Sequence, residues 1–164
     1  WDQPLAKEAF LAAMELAHAA GNRVALTLSD AFCVDRYRAE FRDLAARHVD
    51  ILFANEQEIL SLYETTDFAA AVEAARADCA VAVLTRSARG AVIVSGDDTY
   101  EVAAAPVAKV VDTTGAGDLY AAGFLHGFTQ GLSLPECGRI AGLAAAEIIS
   151  HYGARPEVSL KTLL

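Results

Sequence analysis

Apolar positions recur along the chain in two alternating rhythms, and the alternation sets the expected fold. Pro4 to Ala20 carries apolar side chains at helical spacing, with Leu5, Phe10, Met14 and Ala17 near one face. Asp2 is available as its cap and Gly21 as its stop. Arg23 to Leu28 then reads as a short buried strand, closed by Ser29 and Asp30. A second helix is predicted from about Asp35 to Arg47, with Phe41, Leu44 and Ala45 inward. Asp50 to Ala54 follows as a continuous apolar strand, the kind covered on both faces in a parallel sheet. Strand, helix, strand at this spacing is a βαβ unit with a right-handed crossover.

Phe68 to Ala77 predicts a further helix and Ala80 to Leu84 a further buried strand. The period then changes. Ala91–Val94 and Thr99–Val102 flank Ser95-Gly96-Asp97-Asp98, which predicts a hairpin and so an antiparallel edge to a mostly parallel sheet. The last two helices are expected over Ala116–Gly131 and Leu134–His151, the second stopped by Gly153 and Pro156. Ala121, Ala122, Phe124, Leu125 and Phe128 are the packing residues of the first, while Ala141, Gly142 and Ala144 to Ala146 let a neighbour approach the second. The whole pattern is α/β.

Composition narrows the partners. A chain of 164 residues suits one domain. Its 54% hydrophobic content and mean hydropathy of +0.29 imply surface meant to be covered. No apolar run reaches the roughly 18 residues of a membrane helix, so the expected cover is protein and not membrane lipid. A net charge of −9 argues against nucleic acid or an anionic membrane as partner. A phosphate ligand would then be held by backbone amides and a few local cations. Three cysteines without C-x-x-C spacing point to a reducing, cytoplasmic setting without disulfides. The four histidines show no metal-ligand spacing and read as surface or half-buried helix residues. The start at Trp1-Asp2-Gln3-Pro4 reads as internal, without a signal peptide.

Three polar stretches carry candidate chemistry. In Asp112-Thr113-Thr114-Gly115-Ala116-Gly117-Asp118, two glycines allow a tight turn just before a helix. The unpartnered N–H groups and dipole of that helix start attract an anion. A carboxylate there repels an anion, and one reason to keep Asp118 is to take a proton from a hydroxyl that attacks phosphorus. The plainer reading makes Asp112 and Asp118 helix caps. Asn55-Glu56-Gln57-Glu58 ends a parallel strand where ligands gather, yet also has the form of a capping box. Thr85 to Gly90 is a polar loop at the next strand end, and its Arg86 and Arg89 face either a phosphate or solvent.

These stretches resemble, in order, the D-T-x-G-A-G-D, N-x-x-E and T-x-G-x-x-G motifs of the ribokinase-like (PfkB) carbohydrate and nucleoside kinases. Val49 to Glu56 and Ala144 to Ser150 look most like adenosine kinases and their bacterial relatives. The resemblance implies a three-layer, doubly wound sheet and the C-terminal, nucleotide-binding part of such a kinase over 1–164. The N-terminal substrate and lid part would lie outside these residues. Asp118 would be the catalytic base, and the amides of Gly115, Ala116 and Gly117 an anion hole. Asn55 and Glu58 would position Mg2+ and the phosphates, Glu58 through water. Thr85, Ser87 and Gly90 would hold the nucleotide, with Gly142 facing the adenine. Asp112 and Thr114 would support the loop or bind a monovalent cation.

Ser87 departs from the family's first loop glycine, Gly142 from an asparagine of some members, and Glu157 from a small hydroxyl residue of potassium-binding ones. The expected reaction is transfer of the ATP γ-phosphate to a primary hydroxyl, the 5′-OH of a nucleoside. The alternatives are a sugar acceptor, or a nucleotide-binding fragment without catalysis. ATP, Mg2+ and a small nucleoside or sugar are the implied ligands, and assembly into homo-oligomers is left open.

Overall fold

The computed structural model describes Trp1 and residues 3–163. Its elements are α1 (Pro4–Ala19), β1 (Ala25–Thr27), α2 (Ala31–Arg47), β2 (Ile51–Asn55), α3 (Glu56–Leu62) and α4 (Phe68–Asp78). There follow β3 (Val81–Thr85), β4 (Ala91–Ser95), β5 (Asp98–Val102), α5 (Ala116–Thr129) and α6 (Leu134–Ile148). The strands form one mixed, mostly parallel sheet in the order β1-β2-β3-β4-β5, with the β4–β5 hairpin at its edge as the change of period predicts. The chain divides into two compact units, Trp1–Leu84 with Val94–Asp98, and Thr85–Ile93 with Thr99–Leu164.

In the first unit, β1 and β2 pair parallel, with Ala25 opposite Ile51 and Thr27 opposite Phe53. Ile51 to Ala54 are all buried, as their continuous apolar run requires. β1 is shorter than expected and not buried: Ala25 and Thr27 are exposed, while the flanking Val24 and Leu28 are buried. The cause is its place at the end of the strand order, with one neighbour instead of two. α1 also departs from expectation. Met14 is buried, but Leu5 is 77% and Phe10 46% exposed, so helical periodicity marked a face that the described residues do not cover. Gln3 holds its cap position without a side-chain hydrogen bond, and the expected cap, Asp2, lies outside the described residues.

α2 begins at Ala31, well before the predicted Asp35, because Asp30 caps it by accepting the Phe32 N–H at 2.7 Å. Phe41, Leu44 and Ala45 are buried as expected. Arg76 of α4 donates to the Gly96 and Asp98 carbonyls at 2.6 and 3.0 Å and so ties down the hairpin turn.

The second unit is built on α5 against α6. Its buried contact is made by Tyr120, Gly123, Phe124 and Gly127 of α5, not by Ala121 and Ala122, which are half-buried and exposed. A Cβ at Gly123 would stand 2.8 Å from the Ala141 Cα, and one at Gly127 would stand 3.1 Å from the Cys137 Sγ. Here the close approach that α6's small residues permit is met by glycine on the other helix. α5 stops at a Schellman turn, with Gly131 at φ +75° and the Leu132 N–H donating to the Gly127 carbonyl at 3.1 Å. α6 ends at Ile148, before the predicted His151. No described helix is long and apolar enough to cross a membrane.

Candidate functional site

In the first unit, β2 hands over to α3 at Asn55, whose Oδ1 accepts the Glu58 N–H at 2.9 Å. Glu58 reciprocates: Oε2 accepts the Asn55 backbone N–H at 2.8 Å and Oε1 accepts the Asn55 side-chain amide at 2.7 Å. This is a complete capping box. Glu58 is 6% exposed. Burial pushes its carboxyl pKa up; the Asn55 N–H works against that, and the charge of Asp30 adds to the rise. Asp30, at the carboxyl end of β1, was read only as a strand terminus. A cap residue before a helical run was the signal that could have placed it.

Among the described residues no group of three or more His, Cys, Asp or Glu is arranged to hold a metal ion. Glu58 is buried, and each of its oxygens already accepts a hydrogen bond. This set fits a Mg2+ that arrives on phosphates and meets Glu58 through water. It does not fit an ion held by side chains alone.

In the second unit, α5 starts without a side-chain cap. Gly115 occupies the cap position at φ +81°, ψ 0°, the left-handed region open to glycine. A Cβ there would also meet Ala154 Cβ at 3.1 Å and Cα at 3.2 Å. The Ala116 N–H, expected among the anion's donors, is bonded to the Thr113 carbonyl at 3.2 Å. The N–H groups of Gly115, Gly117 and Asp118 have no acceptor among the described residues, and the space beside Gly117 is open. Asp118 is exposed and its carboxylate has no partner among the described residues. An uncapped helix start is thus joined to a free carboxylate.

Asp112 holds this turn. Its Oδ1 accepts the Thr114 N–H and hydroxyl at 3.0 and 2.7 Å, and its Oδ2 accepts the Gly153 N–H at 3.1 Å. The Thr114 hydroxyl, then the Thr114 and Gly153 amides, draw its pKa down.

The loop after β3 is closed on itself, with Arg86 N–H to the Gly90 carbonyl at 2.7 Å and Gly90 N–H to the Ser87 carbonyl at 3.0 Å. Ser87 sits at φ +51°, so this position demands the conformation that glycine takes freely. Gly90 is fixed by packing: a Cβ would stand 2.0 Å from the Val102 carbonyl oxygen. Gly142 is not so constrained, since a Cβ there would find Ala105 at an ordinary 3.7 Å. Gly90 and Gly142 therefore both border the segment 102–105.

One cluster escaped the sequence reading. His151 Nε2 lies 3.2 Å from Glu147 Oε1, and its Nδ1 lies 3.3 Å from the Tyr152 carbonyl and 3.8 Å from Glu157 Oε1. Glu147 Oε1 also accepts the Glu157 and Val158 N–H groups at 2.9 and 3.3 Å, turning the chain back on α6. The Glu147–His151 spacing of four was the available signal.

A profile of the pfkB family carbohydrate kinases matches residues 1–161, and the chain belongs to that family. Two solved structures, a probable sugar kinase from Rhizobium etli and the adenosine kinase from Sinorhizobium meliloti, are each 53% identical with a TM-score of 0.97 over 99% of this chain. An uncharacterized sugar kinase of Archaeoglobus fulgidus is 39% identical over 110 residues, 66% of this chain and 43% of that protein. The chain covers 50% of each of the two solved chains, so it spans about half the length of these relatives.

Proposed function

We propose that the full-length protein transfers the γ-phosphoryl group of ATP to a primary hydroxyl, the 5′-OH of a nucleoside. The observation that carries this reading is the uncapped start of α5, where free N–H groups share a turn with the exposed Asp118 carboxylate. Preorganised donors of this kind stabilise charge on a transferring phosphoryl group without a positive side chain. Asp118 takes the proton of the attacking hydroxyl, whose oxygen bonds to the γ-phosphorus while the bridging oxygen departs with ADP. Asp112 and Thr114 fix the turn. Thr85, Ser87 and Gly90 hold the nucleotide, and Gly142 leaves room for its adenine. Asn55 and Glu58 would meet Mg2+ and the phosphates through water, as the motif they match implies. When bound, that ion supplies positive charge across the phosphate oxygens. The exposed face of α1 and the β1 edge fit a part of the protein outside these residues, which would bring the acceptor site.

A sugar acceptor is the second reading, favoured by the equal identity to the Rhizobium etli protein. The test is ADP release by the full-length protein with ATP–Mg2+ and adenosine, cytidine, ribose or fructose, with the product identified by phosphorus NMR. A nucleoside 5′-phosphate is expected. Sugar phosphate alone would transfer the assignment to the second reading, and ATP binding without transfer would overturn both.

A further inference from the structure

We propose that His151 is a positioning residue held as an imidazolium, and that it clamps the segment bracing the phosphate-facing turn of α5. Its catalytic consequence rests on the kinase reading above; the clamp itself does not. Both ring nitrogens face oxygen acceptors, Nε2 toward Glu147 and Nδ1 toward the Tyr152 carbonyl and Glu157. A neutral imidazole has one N–H, and only the charged ring donates at both positions. The His151 and Glu147 side chains are 12% and 8% exposed, so water does little to replace a missing proton. Glu147 Oε2 is buried without a hydrogen-bond partner among the described residues, which leaves part of that carboxylate's charge to be balanced by the ring.

Among the described residues the charged groups that face the ring are acidic, Glu147 from α6 and Glu157 from the segment after it, and the ring's charge also reaches Asp112 in the loop before α5. The Tyr152 carbonyl holds the imidazole's pKa above its ordinary 6.5, desolvation opposes this, and Glu147 and Glu157 add to the rise. The clamp is therefore complete below 6.5 and lost as pH rises through the native value.

The clamp reaches the turn through two neighbours of His151. The Gly153 N–H donates to Asp112 Oδ2 at 3.1 Å, and Ala154 packs against Gly115 so closely that a Cβ at residue 115 would meet it at 3.1 Å. Asp112, with Thr114 on one oxygen and Gly153 on the other, is already satisfied by the protein.

Heteronuclear NMR of the ring nitrogens in the full-length protein tests the clamp directly. The expected result is two ring N–H groups at neutral pH and a titration midpoint that falls in Glu147→Gln. A single N–H at neutral pH overturns the assignment, and a midpoint displaced by potassium or sodium makes the cluster a cation site instead. In turnover, kcat should fall roughly tenfold as pH rises through the midpoint, with KM for ATP little changed. His151→Arg, a permanent cation, should abolish that fall. A kcat unchanged across the midpoint removes the positioning role and leaves the kinase reading intact. Absence of transfer at every pH removes the kinase reading, while the NMR result still decides the clamp.

Discussion

α3 and α5 begin with the same problem, a first turn of N–H groups without intrahelical acceptors, and dispose of it in opposite ways. At α3 the protein seals the end with its own side chains: Asn55 and Glu58 exchange three hydrogen bonds between them. At α5 the cap residue is Gly115, which has no side chain to offer, and the nearby carboxylate of Asp118 is exposed. One end is closed by side chains and the other is left open. The difference teaches that the same backbone donors are satisfied or left free according to what the cap residue can offer.

The largest expected effect strikes the open end. Asp118→Asn in the full-length protein should lower kcat roughly a hundredfold to ten-thousandfold while calorimetric affinity for ATP–Mg2+ stays nearly constant. Near-normal kcat would leave the open end without its base. At the sealed end, Asn55→Ala removes a cap and leaves Glu58 Oε1 without its donor while Oε2 keeps the backbone N–H, costing about 2 kcal/mol in urea unfolding. A loss well under 1 kcal/mol would mean that the box contributes little.

Gly115→Ala should cost about 1–2 kcal/mol, because φ +81° is strained for alanine and Ala154 obstructs its methyl group. An unchanged midpoint in thermal unfolding would show that the turn can reshape. The smallest contrast is in pH. Glu58 has a raised native pKa, so its contribution to stability grows as pH falls from the native value toward 4.5. Asp112 has a lowered one, and its contribution is kept above 3.8 and lost as pH falls through the native value. Urea unfolding across this acid range, with Glu58→Gln as control, separates the two signs. If the control keeps the full acid-side gain, Glu58 is not its source.

Local features were legible in the sequence. The β4–β5 hairpin lies where the sequence places it, about the Ser95-Gly96-Asp97-Asp98 turn after the buried β3, and the glycines of 115 and 117 mark the start of α5. The capping-box form of Asn55 and Glu58 is also a matter of spacing along one chain. What the sequence left obscure depends on partners. Apolar periodicity in α1 identifies a face but not whether anything covers it, so Leu5 looked like core and is 77% exposed. Ala121 and Ala122 looked like packing residues because methyl groups usually make contacts. The close approach of α6 instead selects Gly123 and Gly127, which have no side chain for a pattern to register. Position 87 shows a case between the two: the sequence marks the serine as a departure from a loop glycine, and φ +51° supplies the reason a glycine would suit it.

The contact between Gly123 and Ala141 has a consequence for how this protein can change over time. Most buried positions can drift, because a neighbour turns to another rotamer and absorbs the new shape. At residue 123 the neighbouring atoms are the Ala141 Cα and N, which have no rotamers to offer. Even one added methyl group must part α6 from α5, the helix that carries Asp118. Inheritance at this position is therefore nearly frozen: a lineage can revise the sequence around the joint while the joint itself stays as it is.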